Sequence, residues 1–598
     1  MKTQKYAVNQ YLIESILAKV REGEIAIPEI QRPFVWDASQ VRDLLDSLYQ
    51  GFPVGYLIAW RNPDVKLKDG STAAGKMILI DGQQRITALT AAVLGQPVVN
   101  KEYRKVRISI AFHPTEERFE VSNPAIAKDA AWIADVSPLV SGQTDLFDAV
   151  EGYLAANSGA DKAKVKDNLR NLADIAKKQI GLIELSHDLD IETVSEIFIR
   201  INSKGTVLSQ ADFVMSKIAA DTRYGGQQLR KCIDYFCHLA VAPEFYGFIK
   251  DNDAEFAATP YLQKMAWLRN ENDDLYDPSY NDLLRVAFTS EFGRGKLADL
   301  VSLLSGRNFE TKAYEEAIAE SSFSLLNEGV LDFINESHFK RFVMIIKSAG
   351  FITSPMIRTQ GALNFAYTVY LRLRSQGVQD GLIESLVRRW FVMSVLTGRY
   401  SGSAETQFDK DIRQIAAGDF ADILTRVEQA ELSPAFWEVG LVQQFETSGT
   451  SSPYFWVFVA AQVRTNDKGL LSKNITVREL VSHLGDIHHI FPRDLLKKAG
   501  LTRSQYNQIA NYAYTQEEIN IKIGNKPPRA YFADIQAQCN GGPMKYGAIA
   551  DEQTLKANLA ANCVPETIMD MDVAQFDDFL KRRRELMAAK VRTYYEGL

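Results

Sequence analysis

His488 and His489 are adjacent in the run Asp486-Ile487-His488-His489-Ile490-Phe491-Pro492, and with His483 they place three of the chain's seven histidines within seven positions. This pair constrains the local backbone more than any other feature of the chain. On an extended strand successive side chains point to opposite faces, so the two imidazoles serve two sides at once. One can hold a metal ion while its neighbour faces a substrate. Ile490-Phe491-Pro492 is expected to continue the strand, and Arg493-Asp494-Leu495-Leu496-Lys497-Lys498 to begin a helix.

The rest of the chain has to supply a frame for such a site. At 598 residues it is too long for one hydrophobic core, which predicts several domains. No run of about 18 apolar residues occurs, so no membrane span is expected. The opening Met1-Lys2-Thr3-Gln4-Lys5-Tyr6 lacks the apolar stretch of a secretory signal. Four scattered cysteines (Cys232, Cys237, Cys539, Cys563) suit a reducing, cytoplasmic setting. Cys232, Cys237 and His238 have no second ligand pair nearby, so they read as buried side chains rather than a zinc site. A net charge of −7 argues against a protein that coats nucleic acid through its overall field, but leaves room for a local basic cleft. Lys581-Arg582-Arg583-Arg584, with Lys590 and Arg592, is either a solvated helix face or a set of phosphate contacts.

Periodicity divides the chain into an α/β part (1–220), a mostly helical middle (221–445) and a C-terminal segment with a helical tail (446–598). In the first part, Val8 to Val20 and Val41 to Leu48 have helical apolar spacing. Ile25 to Pro28, Val54 to Trp60, Met77 to Ile80, Lys105 to Phe112 and Ile180 to Leu185 read as strands. Ile86 to Leu94 and Glu192 to Ile201 read as helices, the latter stopped by Ser203-Lys204-Gly205. Residues 447–453 form the clearest loop, before the strongly apolar Tyr454 to Val463.

Hydrolysis of a phosphodiester with one metal ion needs a neutral imidazole to take a proton from water. It needs nitrogen or oxygen ligands that hold a divalent ion beside the scissile phosphate. A side-chain amide that fixes the loop carrying the base completes the set. His489, then His488 with Asn520, then Asn511 can fill these roles. The string His488-His489-Ile490-Phe491-Pro492 with Asn511 and Asn520 resembles the His-Asn-His/Asn pattern of HNH endonucleases, whose ββα-metal fold is two strands and a helix around one ion. With Asn520-Ile521-Lys522-Ile523-Gly524-Asn525-Lys526-Pro527-Pro528, it is similar to the C-terminal nuclease domain of the GmrSD-type, modification-dependent restriction family. The resemblance implies His489 as general base, His488 and Asn520 as ligands of Mg²⁺ or Mn²⁺, and Asn511 as the residue orienting the base loop. Asp486, two residues before His488 and so on the same strand face, competes with Asn520 for the third ligand position.

Three N-terminal segments pair polar or cationic groups with tight turns: Gln31-Arg32, Asp81-Gly82-Gln83-Gln84-Arg85, and Asn202-Ser203-Lys204-Gly205. A strand, a glycine turn and a helix N-terminus form an anion-holding arrangement, with arginine forks for phosphate. Asp81 could bind a divalent ion or activate water, and Asn202 and Lys204 could face it from another wall. Taken singly, each segment reads as a structural turn. Together they resemble the ParB/sulfiredoxin-like N-terminal domain of the GmrSD family, which implies binding and hydrolysis of a nucleoside triphosphate. No Walker lysine loop is present.

The expectation is an α+β, multidomain, cytoplasmic anti-phage DNA endonuclease that cuts modified or foreign DNA and is gated by nucleotide. Cutting both strands at once calls for two such sites, which points to a homodimer. Two other readings remain. One is a nucleotide-driven sensor whose HNH segment is inactive; the other is a nuclease whose N-terminal domain only binds DNA and hydrolyses nothing.

Overall fold

Tyr6–Leu12 (β1) is the first segment to find a backbone partner among the residues described by this computed structural model, which are 5–26, 36–61, 77–99, 105–186, 189, 209–221, 223–271, 273, 275–483 and 487–598. It pairs antiparallel with the strand Gln179–Leu185 over its whole length, from Tyr6 opposite Leu185 to Leu12 opposite Gln179. Asn9 Nδ2 and Tyr11 Oη both donate to Glu184 Oε1, at 2.8 and 2.9 Å. The helix expected from Val8 therefore starts only at Ile13, as α1 (Ile13–Arg21). The apolar spacing of Ile13, Ile16 and Leu17 is helical and buried, whereas Val8 to Leu12 satisfy their backbone groups across the sheet instead.

The sheet gains β2 (Ile25–Ala26), β3 (Tyr56–Arg61) and β4 (Met77–Asp81). Its order is β1, Gln179–Leu185, β3, β4, β2, with a register shift in β3 between Ile58 and Ala59. Leu57, Ala59, Met77, Leu79, Ile180 and Leu182 share one core with α1, with α2 (Ala38–Tyr49) and with α3 (Gln83–Val93). The start of α2 is fixed by a reciprocal cap. Asp37 Oδ1 accepts from Gln40 N–H at 2.8 Å, and Gln40 Oε1 accepts from Asp37 N–H at 3.0 Å. The single strand expected over Lys105 to Phe112 is two, Lys105–Val106 and Ile110–His113, each in its own hairpin. The helix expected over Glu192 to Ile201 lies outside the described residues.

These elements belong to a compact unit of Met1–Tyr235 with Leu297–Ser324; a second comprises Phe236–Lys296 with Leu325–Leu598. The second unit is mainly helical. Gln360–Ser375 packs against Tyr280–Phe292 and Asp380–Leu396, and Pro453–Arg464 packs against Asp380–Leu396 and Phe576–Glu596. Its interior is aromatic: Tyr276 stacks on Phe339 (5.5 Å, 6°) and Phe342 on Tyr367 (4.4 Å, 15°). Asp411, fully buried, takes a two-pronged grip from Arg399 (2.6 and 2.8 Å) and further bonds from Tyr400 and Gln407. The loop at 447–453 is followed by an almost wholly buried helix, Pro453–Arg464, which accounts for the apolar run. Among the described residues no helix is long and apolar enough to cross a membrane.

Candidate functional site

Ile487–His489 is a three-residue strand, paired antiparallel with Tyr512–Tyr514 so that His488 lies opposite Ala513 and His489 opposite Tyr512. The strand stops at His489 and does not run on through Ile490 and Phe491. The cause is local. Ile490 N–H donates to Asn511 O at 2.8 Å, and the next backbone groups are taken by the Asn511 side chain rather than by a strand. Phe491 N–H donates to Asn511 Oδ1 at 2.8 Å, and Asn511 Nδ2 donates back to Phe491 O at 3.1 Å and to Tyr506 O at 3.3 Å. Asn511 is fully buried, so these bonds are in a setting where an unmade one is costly. Tyr531 Oη donates to Ile490 O at 3.0 Å, closing the turn from a third side. Pro492 then leads into the helix Arg493–Lys498.

His489 is half-buried and lines a cavity of about 570 Å³ with Thr450, Ile487, Arg493, Asp494, Lys497, Arg503, Tyr506, Asn507 and Tyr512. Its Nε2 lies 2.9 Å from Asn507 Oδ1. With the amide oxygen accepting, Nε2 carries the proton and Nδ1 is the basic nitrogen. Burial pushes the His489 pKa below its ordinary value, the Asn507 bond works the other way, and the charge of Arg493 adds to the lowering. The lowering favours the neutral ring, the form of an imidazole that can accept a proton.

His488 does not line this cavity, as the alternation of strand faces requires. Asn520 lies half-buried in the helix Glu517–Ile523, not on a strand, and is likewise absent from the cavity wall. Asp486 lies outside the described residues. The structure thus joins His489 and Asn511 through one hydrogen-bonded turn and sets His488 on the opposite strand face. Among the described residues no three His, Cys, Asp or Glu side chains converge on one point.

Residues beyond the expected set complete the site. Asn507 carries no periodic signal and was not legible in the sequence. Arg493 and Lys497 were legible, since a spacing of four puts both on one helix face. Arg583, read as part of a basic cluster, is neither solvated nor free for phosphate: it is 1% exposed and donates to Ala510 O (2.8 Å) and Asn562 O (3.3 Å). It thereby pins the chain just before Asn511. Its neighbours are also engaged, Arg582 with Asp578, Arg584 with Glu446, Lys590 with Asp467 and Arg592 with Glu596.

In the N-terminal unit, the Asp81–Arg85 turn lies where the sequence put it, between β4 and α3. Gly82 has φ +93°, and a Cβ there would come within 2.3 Å of Leu57 Cδ2, so the turn requires glycine. Arg85 Nη2 bonds Asp81 Oδ2 at 2.9 Å, and Arg85 Nη1 donates to Val54 O at 3.2 Å and Tyr56 O at 2.8 Å. The fork read as a phosphate grip is turned onto its own chain. Gln83 and Gln84 are half-buried in the first turn of α3, which has no side-chain cap. Gln31, Arg32, Asn202, Lys204 and Gly205 lie outside the described residues.

Residues 13–219 match the family model described as the N-terminal domain of the GmrSD restriction endonuclease. The match is confined to the N-terminal part of the chain and ends before the histidine site. The chain is also similar to a protein of Methanocaldococcus jannaschii described as uncharacterized. The two are 21% identical over 96% of this chain and 97% of the other.

Proposed function

We propose that the chain is a metal-dependent DNA endonuclease of the restriction type, with His489 as general base and a nucleotide-binding N-terminal domain that gates it. The observation that carries this reading is the His489 environment. A half-buried ring, held toward its neutral form by burial, has Nε2 occupied by Asn507 and its strand end clamped by Asn511, in a cavity lined by Arg493, Lys497 and Arg503. Nδ1 is then the atom that takes the proton of an attacking water. Asn511 holds the turn after the base in place, so the ring stays on the cavity wall instead of swinging with a loop. The match of residues 13–219 to a restriction-endonuclease family supports DNA as the substrate.

An imidazole nitrogen from His488 and an amide oxygen from Asn520, with Asp486 as the competing donor, are the groups that would hold a Mg²⁺ or Mn²⁺ ion. Asn520 has a half-buried side chain with no hydrogen bond to any described residue, so its oxygen is available as a ligand. When bound, the ion supplies charge stabilisation at the leaving oxygen.

The uncapped start of α3, after Gly82, supports an anion site for a nucleoside triphosphate. The engagement of Arg85 with Asp81 and two carbonyls favours a second reading of this unit, in which it binds without hydrolysing. Phosphate release, measured with and without DNA, separates the two. The nuclease itself is tested by cleavage of modified and unmodified phage DNA in Mg²⁺ or Mn²⁺, with and without nucleotide. No cutting under any of these conditions would leave the sensor reading, with an inactive nuclease segment, in its place.

A further inference from the structure

We infer that the cavity beside His489 is a cradle for the sugar-phosphate backbone, and that Lys497, Arg503 and Arg493 are its substrate-binding residues. The inference rests on the nuclease reading and goes further by assigning the phosphate contacts. Arg493 and Lys497 are four residues apart on the helix Arg493–Lys498, and Arg503 opens the next helix, Arg503–Tyr506. All three line the cavity with His489. One carboxylate faces them, Asp494, and it sits a loose 3.5 Å from Arg493. Lys497 and Arg503 are exposed and form no ion pair with any described residue. On the terminal helix, by comparison, Arg582 and Arg592 pair with Asp578 and Glu596 of the same helix, and Arg584 and Lys590 with Glu446 and Asp467. The cationic wall thus keeps its charge for an external anion.

The chemistry selects the ligand. Arginine forks take two phosphate oxygens at once, and a lysine adds a mobile point charge. A cavity of about 570 Å³ is too small for a duplex to enter. It can take a stretch of one strand's backbone, which brings a phosphate to the nitrogen of His489 that accepts the proton. Thr450 and Asn507 add neutral hydrogen-bonding groups on the same wall, and Tyr506 and Tyr512 add phenols.

The test uses the full chain with nucleoside triphosphate and Mg²⁺ or Mn²⁺ present, a short fluorescein-labelled DNA duplex for binding, and modified phage DNA for cleavage. Lys497→Gln with Arg503→Gln should lower the slope of log affinity against log salt by about two, because each phosphate contact contributes about 0.9. KM for cleavage should rise about tenfold or more while kcat stays close to wild type. Lys497→Arg with Arg503→Lys keeps both charges and should keep the wild-type slope. If the neutral double variant has the wild-type slope and KM while wild type cuts DNA, the cradle is wrong and the nuclease reading survives. If wild type neither binds nor cuts the DNA, the nuclease reading and the cradle fall together.

Discussion

His489 Nε2 lies 2.9 Å from Asn507 Oδ1, eighteen residues away and across a cavity wall built from two short helices. That single bond chooses the tautomer of the ring and fixes its plane. Asn507 touches no reacting atom on this account; it acts through His489.

Asn507→Ala should lower kcat for DNA cleavage roughly 10–100-fold, the usual cost of losing a partner that orients a functional histidine, with KM little changed. Asn507→Asp retains an acceptor oxygen and should retain most of the activity. Steady-state kinetics of the two variants decide the matter, and equal losses in both would argue for a packing role.

Asn511 is a structural keystone as well as a site residue. Asn511→Ala removes one accepted and two donated hydrogen bonds in a fully buried position, leaving Phe491 N–H without its partner. The expected loss is about 2–4 kcal/mol of unfolding free energy, read from urea denaturation of the unit's transition. An Asn511→Ala protein as stable as wild type would contradict the geometry.

Arg399 and Asp411 form a bidentate pair within a buried aromatic setting, with Arg399 5.3 Å from the centre of the Trp390 ring. Asp411→Ala leaves the buried guanidinium only its longer pairing with the exposed Glu431, at 3.5 Å, and should cost about 3–5 kcal/mol, whereas replacing both residues by apolar ones of similar volume should cost much less. Denaturation of the single and double variants measures the difference.

His238 supplies a stability prediction with a defined sign. Burial lowers its pKa from 6.5 to about 4, partly opposed by Glu244. Between those values the unfolded chain binds the proton and the folded chain does not, so stability rises with pH across that window and is lost as pH falls through it. The change reaches about 3 kcal/mol between pH 6.5 and 4. The stability difference between wild type and His238→Gln, read from denaturation curves, should be constant above about pH 6.5 and shift against wild type as pH falls toward 4.

Much of the site was legible as residue types. The His488-His489 alternation and the glycine turn at 82 follow from chemistry that spacing carries, whereas a loop-holding role for Asn511 came from the family resemblance, and its bonds to Phe491 are visible only in the fold. What was not legible depends on distant chain. Val8 to Leu12 suits a helix or a strand by local pattern, and pairing with Gln179–Leu185 decides for the strand. Ile490 and Phe491 look like strand residues until Asn511 takes their backbone groups. Arg583 sits in a run of four basic residues, yet only the packing of the last helix reveals that it is the buried one. Asn507 is an ordinary polar residue after a short helix, and nothing but the fold brings it to His489.

Cleavage of modified phage DNA by wild type and His489→Ala, in Mg²⁺ or Mn²⁺ with nucleoside triphosphate present, tests most directly whether His489 is the base of a metal-dependent nuclease. Wild type should cut, chelation of the ion should stop it, and His489→Ala should be slower by about 100-fold or more while remaining folded. A His489→Ala protein that cuts as fast as wild type would contradict the account.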